Sequence, residues 1–279
     1  MARQTGIIRI SGKVGNTVGF ARGGEEFTRA TAKPYDLAEE SKKSATEFGR
    51  GSTASSLVRE AFSRMLLPAF RKDPNNRLAE KFRRVIRSGP SSKKGKRGVF
   101  DGNVSLLNGF EFNPYTAFKK LAFFQPKAEL TAKAINLSVP EFSWQRDVQA
   151  PEKATSLILG AICGSFDFRM NRYETIQAAE LIIEKGQSFA GAGLQVPIPE
   201  AEEQVILVML TLNFASTGGK NLLKIERRDA QAGTILAALH LKNGELVVFE
   251  EEALFPEYHT QPVVPVVNWQ VNNSSGHLQ

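Results

Sequence analysis

Eleven cations stand between residues 71 and 97: Arg71, Lys72, Arg77, Lys81, Arg83, Arg84, Arg87, Lys93, Lys94, Lys96 and Arg97. Only Asp73 and Glu80 oppose them within that span. Cations at this density can neutralise backbone phosphates of a nucleic acid without reading its bases. They can equally face an acidic surface on a second copy of the chain, or simply be solvated. These three readings stay open at the level of sequence.

Other chemistry is thinly represented. The three histidines, His240, His259 and His277, are far apart and have no evident partners, and the single cysteine is Cys163. No paired Cys or His stands at ligand spacing, so no metal is expected. Cys163 lies in the apolar run Leu157–Gly164, which suits a buried small hydrophobe rather than a nucleophile. The stretch Gly89–Arg97 superficially resembles a phosphate-binding loop. Its glycines are one residue too far apart, and Arg97 stands where Ser or Thr would hold magnesium. No Gly-x-Ser-x-Gly occurs. Glu250, Glu251 and Glu252 form an acidic cluster that suits a solvated turn. The expectation is a protein that is not an enzyme and takes no cofactor.

The elements that must position the cations read as follows. Residues 6–30 suit a β-hairpin or three short strands, with Gly23-Gly24 supplying the positive φ of a two-residue turn. A helix is expected over 37–48, capped by Asp36 and ended by Gly49 and Gly51. A second starts at Ser52 or Thr53, with Leu57, Val58, Ala61, Phe62, Met65, Leu66 and Ala69 as its apolar stripe. After the turn Asp73-Pro-Asn-Asn, a short helix carries Leu78, Phe82, Val85 and Ile86 on one face and cations on the rest. Residues 88–98 contain no large apolar side chain and read as a basic linker. This divides the chain into a basic hairpin-plus-helices module, 1–98, and a second domain, 99–279.

Beyond residue 98 the apolar period changes to two. Strands are expected at 133–139, 156–168, 175–184, 204–214, 222–227, 234–241, 245–250 and 263–271, with turn signals such as Asn243-Gly244 between them. The fold class is therefore α+β: a small N-terminal hairpin with helices, then an antiparallel, immunoglobulin-like β-sandwich. The segment 261–271 is extended and spaced by prolines, which confine it to an edge. Val263, Val264, Val266, Val267 and Trp269 are its candidate assembly residues, either closing the sandwich or lying on a neighbouring subunit's sheet.

Net charge is +7, unevenly spread. Residues 1–98 hold 22 Lys and Arg against 9 Asp and Glu, and residues 99–279 hold 14 against 20. Opposite charge on the two parts favours a polyanion or head-to-tail contact between copies. One thiol excludes an internal disulfide. The apolar stretches are too short to span a bilayer, so a cytoplasmic protein without membrane insertion is expected, with release as part of a particle left open.

The strings Met1-Ala-Arg-Gln-Thr-Gly-Ile-Ile8, Gly12-Lys-Val-Gly15, Glu47-Phe-Gly-Arg50, Phe100-Asp-Gly102 and Gly109-Phe-Glu-Phe112, with Phe20, resemble an uncharacterised family of Bacteroidota proteins. That family joins a hairpin-and-helix module to a diverged β-rich half. The likeness covers residues 1–115 and departs at Phe20-Ala-Arg-Gly23, where the family carries Tyr-Lys-Ser. It implies lineage and fold, not activity. The leading expectation is a structural, self-assembling protein whose partner is itself. The alternative is nucleic-acid binding through residues 71–97. Ligand binding by the sandwich, with Trp144, Tyr173, Tyr258 and Trp269 as platforms, rests on fold analogy alone.

Overall fold

The computed structural model describes residues 2–4, 10–32, 36–66, 75–131, 133–218 and 221–249. The chain is α+β and mostly β, and its sheets are antiparallel.

The first element is a four-stranded sheet built from β1 (Ala2–Arg3), β2 (Gly12–Val14), β3 (Thr17–Arg22) and β4 (Glu25–Ala30), in the order β1-β4-β3-β2. Gly23 and Gly24 have φ of 62° and 80° and close the β3–β4 hairpin. Positive φ at both turn residues matches the twist of the flanking strands. Phe20 stacks on Phe27 across the pair, at 6.0 Å between ring centroids. The strands are otherwise exposed or half-buried, with Gly19 alone fully buried.

Two long helices follow, α1 (Glu39–Ala61) and α2 (Asn75–Ser88). The break expected at Gly49–Gly51 does not occur: α1 runs through it. Gly51 is buried against α2, where a Cβ would come within 2.9 Å of Arg83 Cγ. The glycine lets two helices approach closely and does not end one. Each mid-helix glycine weakens a helix by about 1 kcal/mol relative to alanine, and the shared interface of Ala54, Val58 and Ala61 with α2 offsets this. Asp36 is not the cap; the N-cap residue is Ala38, which makes no side-chain cap bond. On α2 the buried residues are Leu78, Phe82, Val85 and Ile86, the face expected from their spacing.

The β part holds α3 (Phe118–Leu121), β5 (Lys127–Leu130), β6 (Ala134–Val139), β7 (Phe142–Ser143), α4 (Trp144–Asp147), β8 (Ser156–Asp167), β9 (Arg172–Glu184), β10 (Ser188–Phe189), β11 (Ala192–Pro197), β12 (Glu203–Gly218), β13 (Asn221–Lys224), β14 (Gln231–Lys242) and β15 (Glu245–Leu246). The large sheet has the order β15-β14-β12-β8-β9, with β13 also on β12. A second sheet has the order β11-β6-β5, and β7 pairs with β10.

The central strands of the large sheet, β8, β12 and β14, are buried on both faces. On β12, Ile206, Val208, Leu210, Leu212 and Phe214 pack with Ile135 and Leu137 of the small sheet. The alternating residues Val205, Leu207 and Met209 pack with Val58, Phe62, Leu78 and Phe82 of the helices. This explains why β12 reads as a continuous apolar run: alternation fails when neither face meets water. An antiparallel sheet usually keeps one face solvated; here α1 and α2 cover the face left over by the second sheet. Four strands had no clear sequence signal: β5, β7, β10 and β11. They are short or exposed on alternate residues, so little apolar pattern marks them.

Candidate functional site

The basic segment is folded, and most of its charge is already matched. Arg97 is the clearest case. Its Nε donates to Glu47 Oε1 at 2.8 Å and its Nη2 to Oε2 at 2.9 Å. Nη1 donates to the carbonyls of Arg87 and Gly89, at 3.0 and 3.2 Å. The two side chains are only 8% and 7% exposed. Gly95 N–H also donates to Glu47 Oε1, and Arg50 Nη1 donates back to the Arg97 carbonyl at 2.7 Å. Burial opposes ionisation of Glu47, but the Arg97 and Gly95 bonds prevail and hold its carboxyl below the usual range. A bidentate guanidinium–carboxylate pair with its remaining donors satisfied is the geometry that survives burial.

Residues 88–98 are therefore not a free linker. Ser91–Lys93 form a 3-10 turn, and Arg97 locks the stretch to α1 across Glu47. Lys93 pairs with Asp101 at 2.7 Å and Lys94 with Glu40 at 2.6 Å. On α2, Arg83 and Arg84 both pair with Glu80. The Arg83 guanidinium also lies over the Phe48 ring, at 4.6 Å from the centroid. Arg77 donates to the Glu111 carbonyl at 2.7 Å and lies over Phe110. Lys81, Arg87 and Lys96 make no ion pair or side-chain hydrogen bond among the described residues. Arg71 and Lys72 lie outside the described residues, as do Val263, Val264, Val266, Val267 and Trp269 of the candidate assembly strand.

A second sequence motif lies beside this pair. Phe100-Asp-Gly102 sits on α2, where Gly102 approaches so closely that a Cβ would lie 1.7 Å from the Val85 carbonyl oxygen. Asp101 accepts from Gly98 N–H at 2.8 Å. Its burial disfavours the charge, yet the Lys93 bond, the Gly98 bond and the charges of Lys93 and Arg169 keep its carboxyl below the usual range. Between α1, residues 96–101 and the β8–β9 turn lies a cleft of about 430 Å³. Arg50, Lys96 and Arg169 line it, with Phe100 and Phe168 forming part of its wall.

Behind the cleft stands a network invisible to sequence spacing. His240 is 5% exposed, and its Nε2 lies 3.0 Å from Glu203 Oε1. Glu203 also pairs with Arg169 at 2.5 Å. Phe100 packs against Arg169, at 5.0 Å, and against the His240 ring, at 5.3 Å. The histidine judged partnerless thus has a carboxylate, supplied through the antiparallel register of β12 and β14 that sets Val205 beside His240. Cys163 faces the small-sheet core, on the opposite face from this network, and burial raises its thiol to about 12. Among the described residues, no group of three or more His, Cys, Asp and Glu is placed to hold a metal ion. Trp144 is buried in the core, and the Tyr173 hydroxyl meets Glu60 at 3.4 Å. Tyr258 and His259 lie outside the described residues.

No family model, curated protein or solved structure matches the chain. Among the described residues no helix is long and apolar enough to cross a membrane.

Proposed function

We propose that this is a non-enzymatic, self-assembling structural protein whose copies associate through the N-terminal sheet and through open strand edges. The N-terminal sheet carries the proposal. Four strands leave Ile10 and Val14 exposed and bury only Gly19 fully. Its hydrogen bonds close within the sheet, as in Gln4 to Ile10 and Phe27, and Thr31 to Asn16. A sheet of this size buries too little to be stable alone and gains from a partner surface. The same holds for β9, which pairs only with β8 among the described strands and so offers one unpaired ladder. In this reading the two facing sheets, the part expected to be immunoglobulin-like, form the body together with α1 and α2, and the N-terminal sheet provides contact. Homo-oligomers are the commonest outcome when such a surface finds its own copy.

Nucleic-acid binding through residues 71–97 has less support, because Arg83, Arg84, Lys93, Lys94 and Arg97 already have acidic partners within the chain. Each pre-formed pair must be broken or shared before it can release counterions from a phosphate backbone. Light scattering on the full chain and on a variant lacking residues 1–32, at low and at high salt, tests the assembly reading. The full chain should form oligomers and the truncated one should not. A full chain that stays monomeric across concentration defeats it.

A further inference from the structure

The cleft beside the buried pair is lined by three cations and one carboxylate. We propose that it is an anion site that takes the phosphoryl group of a phosphate ester, held by Lys96, Arg50 and Arg169. This goes beyond assembly and does not depend on it.

Lys96 makes no ion pair or side-chain hydrogen bond among the described residues, although its neighbours Lys93, Lys94 and Arg97 all do. Arg50 commits one terminal nitrogen to the Arg97 carbonyl, leaving the rest of its donor fork. Arg169 gives one nitrogen to Glu203 and lies against Phe100, which fixes the plane of its guanidinium. Its side chain remains 64% exposed. The one acidic side chain lining the cleft, Asp101, is already engaged by Lys93 and the Gly98 N–H. Two part-committed guanidinium forks and a free ammonium around one hollow are the donor set that planar, multiply charged oxyanions require.

The arginines are held for the role. Arg50 is tied to a segment pinned by the buried Arg97–Glu47 pair, and Arg169 by Glu203, itself in contact with His240. Side chains fixed before binding lose less entropy on binding. The volume, about 430 Å³, is in the range of small-molecule sites and exceeds what a bare phosphate fills. Ala54, Val99, Phe100 and Phe168 supply apolar wall for the rest of the ester. Phe100 contacts both Arg169 and the His240 ring, and Phe168 stacks on Phe166 at 5.6 Å. Recognition is assigned to the phosphoryl group, which the three cations lining the cleft would hold.

The test is calorimetric titration of the full chain at low salt with inorganic phosphate, pyrophosphate, a nucleoside 5′-monophosphate and a short oligonucleotide with and without a 5′ phosphate. Saturable one-to-one binding of the monophosphate is expected. Lys96→Gln should weaken it at least tenfold with unchanged melting temperature; Arg169→Gln should weaken it at least tenfold with a lowered melting temperature, because Glu203 loses its partner. Lys81→Gln, an unpaired lysine on α2 in a separate depression, should leave it alone. Oligonucleotide binding that is tighter than the monophosphate and needs the 5′ phosphate identifies a nucleic-acid end as the source; equal binding identifies a free ester. No saturation by any phosphorylated probe at millimolar concentration, or equal losses from Lys81→Gln and Lys96→Gln, overturns the proposal.

Discussion

Replacing Arg97 by methionine removes one side chain and leaves a carboxylate with little to hold it. Glu47 is 7% exposed at its side chain, so water cannot replace the guanidinium. Gly95 N–H remains as a donor, but both Glu47–Arg97 bonds are lost. The carbonyls of Arg87 and Gly89 lose a partner as well. Removing one member of a buried pair destabilises by about 3–5 kcal/mol, against a total stability of about 5–15 kcal/mol. With a urea slope of about 3 kcal/mol per molar, the midpoint should fall by roughly 1 M or more. The double variant Glu47→Leu/Arg97→Met removes both charges and should be more stable than Arg97→Met alone, because no ion is left buried. The sign with pH follows from Glu47, whose folded pKa is depressed. Its contribution is present above the ordinary carboxylate pKa and is lost as pH falls through the folded value, so the gap between wild type and Arg97→Met should narrow in acid. A loss under about 1 kcal/mol, or a double variant less stable than the single, would show that Glu47 is not held as a buried ion by Arg97.

Glu111 is the opposite case. Burial raises its carboxyl to about 7, with the Phe118 N–H acting against the shift. A raised carboxyl gives stability that is full below pH 4.5 and is lost as pH rises through 7. The shift corresponds to about 3 kcal/mol at most, reduced to roughly 1–2 because the group is partly in contact with solvent. Glu111→Gln should therefore stabilise the protein above pH 7 in thermal melts and make no difference near pH 4; an equal effect at both would count against burial as the cause. Gly102→Ala should cost about 1–3 kcal/mol by overpacking, since the new methyl meets the Val85 carbonyl; a neutral result in chemical denaturation would show that the segment moves aside freely. Cys163 should react with a thiol reagent only at the rate of unfolding, and fast native-state labelling would contradict its position in the core. Lys94→Gln should change stability by less than about 1 kcal/mol, as expected of an exposed pair, and a larger loss in the same melts would mean that the Glu40 contact is worth more than its exposure suggests.

The strong apolar patterns were legible. Leu78, Phe82, Val85 and Ile86 stand on the buried face of α2, and the long strands β8, β9, β12 and β14 lie where alternating or continuous apolar runs placed them. The uninterrupted helix through Gly49 and Gly51 was not, because a glycine that ends a helix and one that admits a neighbouring helix look alike until the neighbour is known. The basic segment misled for a related reason. Counting charge along the chain cannot see Glu47 and Glu40, 50 and 54 residues before Arg97 and Lys94, which fold back onto it. The Glu203–His240 contact was hidden by strand register, which no local pattern encodes. Glu47 and Arg50, far from Phe100 and Gly102 in the chain, lie near them in the fold, which no local pattern encodes.

The two-sided burial of the large sheet also sets a timetable for synthesis. Val58 and Phe62 near the end of α1 complete their core against Ile235 and Ala238 of β14. At a synthesis rate of about 5–20 residues per second, β14 emerges roughly 10–40 s after α1. During that interval the apolar side of α1 and α2 lacks the surface that covers it in the finished protein. A nascent chain arrested before β14 should therefore bind holding chaperones that the completed chain releases.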